Sequence, residues 1–280
     1  MSLTKPEQYE QFRAAYPLRC QLIDGQPWEN VEAGAGAEHF LLLPGGFGIA
    51  TTAWEYILAF APRYHVVSLH YPPAIARIAD LCDGLAELMS ALGIGAAHVL
   101  GGSASGAVAQ AFVRRHPSRV ASLILAQTGP PQPLRAAAAH HSAALVEALP
   151  LPISAALLRA ATLAFLPLPS PGHRFWRTHF AQVIAAQTRS GLANRFRLLA
   201  DYDAGYRFGP ADLWGWPGRV AIIESAADGF VKPAEQAALR ALYPRAWLHR
   251  FPKGSHGLSL HQPQAQIAAI ARFLAGNDRD

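Results

Sequence analysis

Three residues that lie far apart in this 280-residue chain have the types and local settings that acyl chemistry needs: Ser103, Asp228 and His256. A serine hydroxyl is a weak nucleophile until a neighbouring base takes its proton, and an imidazole serves as that base when a buried acid holds it in the right tautomer. Ser103 interrupts the stretch Val99-Leu100-Gly101-Gly102-Ser103-Ala104-Ser105-Gly106, an apolar run cut by two glycines and followed by small residues that rise into a helical pattern ending at His116-Pro117. That order predicts a strand, a tight turn and a helix, with the serine on the turn. Asp228 stands in Ala227-Asp228-Gly229-Phe230 just beyond an apolar run at 220–223, and His256 in Gly254-Ser255-His256-Gly257 just beyond another at 247–251. Each also has a plain reading, since aspartate before glycine commonly makes a turn and a histidine between glycines can be a solvated loop residue. Glu224, Asp201 and Asp203 are rival acids.

The intermediate of acyl transfer carries a negative oxygen, which needs two aimed N–H donors. The backbone N–H of Ala104, directly after the serine, is one candidate. Gly46, or else Phe47, in the turn 44–48 supplies the other. Pro44 opens that turn and offers no N–H of its own.

The elements that must hold these loops follow from hydrophobic periodicity. Residues 18–24 and 28–33, joined at Gly25-Gln26-Pro27, predict two antiparallel strands, and 39–43 a buried strand. Thr51 or Thr52 can cap a helix over 53–60, stopped by Pro62. A strand at 64–69 follows. Ile78, Leu81, Cys82, Leu85, Leu88, Met89 and Leu92 recur at steps of three and four and predict an amphipathic helix closed by Gly93. Strand and helix then alternate through 126 with short connections, the signature of a parallel sheet covered on both faces. Between 129 and 212 the alternation stops. Alanine-rich helical stretches, a proline cluster over 150–171 that includes Pro167, Pro169 and Pro171, and the aromatics Phe175, Trp176, Phe180 and Phe196 read as a helical insertion too long for a loop. The rhythm returns with a strand at 220–223, a helix at 233–242, a strand at 247–251 and a helix at 264–274.

Composition narrows the function classes. Hydrophobic residues make up 51% and charged residues 15%, which argues for a packed core and against disorder. The formal charge of +5 is scattered as single arginines; no basic run resembles a nucleic-acid tail, and Arg114-Arg115 reads as charge at a helix C-terminus. Cys20 and Cys82, each among apolar neighbours, read as small core residues. The polar segment 1–13 carries no secretory signal, and the apolar stretch 155–168 is too short to cross a bilayer, so a cytoplasmic protein without a membrane span is expected. His140, His141, His173 and His179 lack metal-ligand spacing. No metal and no cofactor are expected, and a homodimer is left open.

The turn at Ser103, the acid loop at Asp228 and the histidine loop at His256, in that chain order, resemble the α/β-hydrolase superfamily, in which the serine sits on a strained strand-to-helix elbow. In that elbow the positions two before and two after the serine are usually glycine because they approach neighbouring backbone; here they are Gly101 and Ser105, with Gly106 next to relieve the crowding. The N-terminal half is also similar to maspardin-like proteins, through Phe12-Arg13, Pro17-Leu18, Leu43-Pro44, Tyr71-Pro72, Cys82-Asp83-Gly84 and the run 122–125, a likeness that fades after about Gly129. Two departures stand out. Pro44 occupies a place where hydrolases often carry histidine, and His70-Tyr71-Pro72-Pro73 replaces an Asp-x-Arg-Gly-x-Gly-x-Ser turn, which points away from the best-known small-ester and epoxide branches.

The resemblance implies an α/β-hydrolase fold: a mostly parallel central sheet flanked by helices, formed by 1–129 and 213–280, with a helical cap over 130–212. It implies a cofactor-free serine hydrolase with Ser103 as nucleophile, His256 as base, Asp228 as its orienting acid and Ala104 and Gly46 as the oxyanion hole. The expected substrate is a small molecule with an apolar acyl or ring moiety on an ester, thioester or hydrolysable carbon–carbon bond. The alternatives are a non-catalytic maspardin-like protein-binding module and an acyltransferase using the same residues.

Overall fold

The computed structural model describes residues 3–163 and 172–276. Among them an eight-stranded sheet runs in the order β1-β2-β4-β3-β5-β6-β7-β8. β1 (Arg19–Ile23) and β2 (Gln26–Ala33) form the expected antiparallel pair, and β2 joins β4 (His65–Leu69) antiparallel as well. From there β4, β3 (His39–Leu43), β5 (Ala97–Gly102), β6 (Val120–Ala126), β7 (Arg219–Ser225) and β8 (Trp247–Phe251) are all parallel. Parallel strands put all their C-terminal ends along one edge of the sheet, so the loops after β3, β5, β6, β7 and β8 share that edge.

Alternation along the strands sorts the core into two layers. Leu41, Leu43, Val67, Val99, Leu123 and Leu125 pack against Leu81, Leu85 and Phe112 of α3 (Ile78–Ala91) and α4 (Ala104–Arg115). Phe40, Leu42, Val66, Ile124 and Ile223 face Trp54 and Ile57 of α2 (Trp54–Phe60) and Ile270 and Phe273 of the helix Pro263–Leu274. Each such large side chain taken fully from water contributes roughly 1.5–3 kcal/mol.

α1 (Lys5–Ala15) is a helix where the sequence suggested only a polar start. The carboxylate of Glu7 accepts from the N–H and the hydroxyl of Thr4, at 2.7 and 2.8 Å, which starts the helix. Only Tyr9 and Phe12 are buried from it, too sparse a pattern to announce an amphipathic helix. Two expectations are corrected. Thr51 and Thr52 do not cap α2; they lie inside a 3-10 turn over Ala50–Ala53, and the Thr52 hydroxyl donates back to Ile49 O at 2.7 Å. Cys20 is exposed, because β1 is an edge strand and this side chain falls on its open face, while Cys82 is buried as expected. Arg114 and Arg115 do stand in the last turn of α4, but each also reaches another element: Arg114 pairs with Asp212 and Arg115 with Asp83 of α3.

Four described α-helices lie between β6 and β7: α5 (Pro133–Ala148), α6 (Leu151–Leu163), α7 (His173–Ala185) and α8 (Arg189–Gly205). Pro167, Pro169 and Pro171 lie outside the described residues. Arg135 of α5 donates to both carboxylate oxygens of Asp203 on α8, at 2.8 and 2.9 Å, and to Glu235 of α9 (Pro233–Leu242) at 2.8 Å. α5 and α8 are thereby tied to each other and to the helix that follows the Asp228 loop. Among the described residues no helix is long and apolar enough to cross a membrane.

Candidate active site

Ser103 is the N-cap of α4 and has φ 52° and ψ −126°, a region that side chains rarely occupy and that stores backbone strain. Its N–H donates to Ala126 O at 2.9 Å, and its carbonyl accepts from the Thr128 hydroxyl at 2.8 Å, so both neighbours of the strained bond are held by β6 and the turn after it. The small residues around it are required by contact. A Cβ on Gly101 would lie 2.6 Å from Ser105 O, and one on Gly106 would lie 2.3 Å from the Thr128 hydroxyl. Gly106 is therefore where the turn after β6 approaches the elbow. Ser105 fits at the second glycine position because its hydroxyl lies within hydrogen-bond distance of Gly102 N (3.0 Å), Gly102 O (2.8 Å) and Leu43 O (3.2 Å).

The three loops converge. Ser103 Oγ lies 2.8 Å from His256 Nε2, and His256 Nδ1 lies 2.9 and 3.0 Å from the two oxygens of Asp228. An ionised carboxylate can only accept, so it assigns the ring proton to Nδ1 and leaves Nε2 to accept from the serine hydroxyl. Asp228 has a fully buried side chain and accepts in addition from the N–H groups of Phe230 and Val231, at 2.8 and 2.9 Å. One carboxylate thus makes both the turn bonds and the contact with His256. Burial, the largest single influence on its acidity, pushes the Asp228 pKa up; the hydrogen bond and charge of His256, with the two backbone donors, outweigh it, and the net shift is downward.

The rival acids are occupied elsewhere. Glu224 is buried against Arg240 at 2.6 Å, Asp201 accepts from Ile78 N at 2.8 Å, and Asp203 holds Arg135. Among the described residues no hydrogen bond engages the N–H of Gly46, Phe47 or Ala104. Gly46 and Phe47 line the same cavity as Ser103 and His256, and α4 points its N-terminus, the positive end of its dipole, at this place.

The cavity measures about 400 Å³. Its walls are mainly apolar, with Phe47, Leu158, Trp176, Phe180, Leu192 and Phe196 among them. Of the aromatics singled out in the sequence, Phe175 instead packs on Tyr9, Trp54 and His179. Two polar features had no sequence signal. Gln127, directly after β6, has φ 45°; its side-chain oxygen accepts from Gln266 Nε2 at 2.9 Å, and Gln266 Oε1 accepts from the Tyr56 hydroxyl at 2.7 Å. Arg195 of α8 reaches the cavity wall from the helical segment. Neither a glutamine after a strand nor an arginine in a helix stands out until the fold brings it there. His179 is enclosed by Tyr9, Phe175, Trp176 and Phe180, and burial lowers its pKa to about 4. Among the described residues no group of three or more His, Cys, Asp or Glu side chains is placed to hold a metal ion.

Strand order, elbow and converging loops define an α/β-hydrolase architecture. Residues 38–263 match the family model described as alpha/beta hydrolase fold, and the chain belongs to this family. Among similar curated proteins, "Putative carbamate hydrolase RutD" of Caulobacter segnis is 25% identical over 269 residues, covering 91% of this chain and 98% of that protein. Among solved structures, a hydrolase from Pseudomonas aeruginosa PA01 superposes with a TM-score of 0.77 at 23% identity, covering 92% of this chain and 98% of the other. The enol-lactonase from Burkholderia xenovorans LB400 does so with 0.78 at 16% identity, covering 92% and 100%. These structures share the fold. The narrower likeness of the N-terminal half to maspardin-like proteins is not among these findings.

Proposed function

We propose that the protein is a cofactor-free serine hydrolase acting on a carbonyl substrate with an apolar acyl or ring moiety, with 130–212 as the cap that encloses it. The observation that carries this reading is the unbroken line of hydrogen bonds from Ser103 Oγ through His256 to the buried carboxylate of Asp228, with the serine on a strained elbow. Ser103 Oγ attacks the carbonyl carbon while its proton passes to His256 Nε2, and Asp228 stabilises the imidazolium that forms. The N–H groups of Ala104 and Gly46 hold the oxyanion. Collapse expels the leaving group, which takes the proton from His256. Water, activated by the same imidazole, then releases the acid and restores the serine. A carbamate and an enol-lactone, named for two of the similar proteins, are both carbonyl compounds open to this attack.

A fluorophosphonate probe tests the reading. Wild-type protein is expected to be labelled at Ser103, with labelling abolished in Ser103→Ala and strongly reduced in His256→Ala. A folded wild-type protein that stays unlabelled overturns the hydrolase reading in favour of a binding module.

A further inference from the structure

Arg195 is the one buried arginine among the described residues. Arg114, Arg135 and Arg240 each meet a carboxylate, from Asp212, from Asp203 and Glu235, and from Glu224. Arg195 is 8% exposed and meets none among the described residues. Its Nη2 donates to the carbonyls of Tyr71 and Pro72, at 2.8 and 3.0 Å, and the guanidinium lies 5.5 Å from the Tyr71 ring centre. Nε and Nη1 are buried without a hydrogen-bond partner among the described residues. Burial lowers its pKa to about 10, so the group is still a cation at neutral pH. A buried charge with unused donors is costly, and proteins otherwise pair such groups.

The residue also stands in a particular place. It lines the cavity that Ser103 and His256 line. Among the described residues the other charged side chain of that wall is Glu55, which Lys5 holds at 2.8 Å, so its charge is already matched. In a cavity with apolar walls the field of a cation is weakly screened. What would satisfy Arg195 is a single negative charge delivered by a ligand. A carboxylate fits one cation, whereas a doubly charged phosphate leaves a charge unmatched.

We propose that Arg195 is the anion-binding subsite of the cavity, and that the substrate bears an ionised carboxylate in addition to its apolar body and the carbonyl that Ser103 attacks. This rests on the reading of the cavity as the substrate pocket. The carboxylate would anchor one end of the ligand on α8 while the elbow attacks the other. Neutral esters would lack the anchor, and free dicarboxylates would compete for it.

The test separates binding from chemistry. In Ser103→Ala, calorimetry with monomethyl glutarate and dimethyl glutarate is expected to show the anionic monoester bound tighter by on the order of tenfold or more. The preference is expected to vanish in Ser103→Ala/Arg195→Gln and to survive in part in Ser103→Ala/Arg195→Lys. In protein with Ser103 intact, 4-nitrophenyl hydrogen glutarate is expected to be cleaved with higher kcat/KM than 4-nitrophenyl pentanoate, and Arg195→Gln to remove the difference. Equal binding of the two glutarates, or a preference that persists in Arg195→Gln, overturns the proposal. Thermal melting reports whether the loss of the bonds to Tyr71 and Pro72 has unfolded the variant; if it has, the wild-type preference and the Arg195→Lys result decide. Probe labelling of Ser103 without any anionic preference sinks this proposal alone. Anionic preference without labelling sinks the hydrolase reading alone.

Discussion

Ser103 Oγ and His256 Nε2 lie 2.8 Å apart although 153 positions separate them along the chain. The approach depends on β5 and β8 ending on the same edge of the sheet, with β6 and β7 filling the space between them. The imidazole is fixed from its other side by Asp228, which is itself held by two backbone N–H groups.

Replacing Asp228 with asparagine keeps the shape and removes the charge that fixes the His256 tautomer. Activity on an activated ester is expected to fall by about 10³–10⁴-fold in kcat, with little change in melting temperature. Glu224→Gln is the contrasting variant: it weakens the buried pair with Arg240, costs about 1 kcal/mol of stability, and leaves kcat near wild type. Loss of stability rather than of rate in Asp228→Asn would show that Asp228 is a structural residue.

The strain at Ser103 predicts an inverse relation between activity and stability. Ser103→Gly and Ser103→Ala both lose the bond to His256, but only glycine relaxes at φ 52°. Glycine at this position is expected to be more stable than alanine by about 1 kcal/mol in chemical denaturation, and both to be inactive.

Gly106→Ala would drive a methyl group into Thr128, whose hydroxyl holds Ser103 O. A destabilisation of about 1–3 kcal/mol is expected, with a fall in kcat because the elbow must shift. Unchanged melting and kinetics would mean that the turn has room that the contacts deny it.

His179 predicts acid sensitivity. Burial, with a smaller contribution from the charge of Arg13, lowers its pKa from the ordinary 6.5 to about 4. Between those values the unfolded chain takes up a proton that the folded chain refuses, so stability falls as pH drops from about 6.5 to 4 and levels off below. The contribution is about 3 kcal/mol. His179→Phe is expected to flatten urea-denaturation stability across that window. His39 and His98, whose pKa values burial also lowers, leave a residual slope.

Much of this architecture was readable because strand runs such as 39–43 and 120–126 are bounded by turn residues and because α3 repeats its apolar positions at helical spacing. Ser103, Asp228 and His256 could be singled out by place: each follows a strand run. α1 escaped notice because only Tyr9 and Phe12 of it are buried. Thr51 and Thr52 misled because a threonine before an apolar run signals a cap only when the chain enters the helix directly, and here a 3-10 turn intervenes. Gln127 and Arg195 could not be seen at all. Their significance comes from burial and from what they do or do not touch, which a single chain of letters does not encode locally.

The guanidinium of Arg135 ties α5 to α8 and to α9 at once. A swing of the whole helical segment about its β6 junction, in the manner of a door, would carry the pair with Asp203 along but would have to rupture the link to Glu235. Breathing restricted to α6 and α7 leaves them untouched, so traffic of ligands past Leu158 and Phe180 needs no disturbance of the helix that steadies the Asp228 loop.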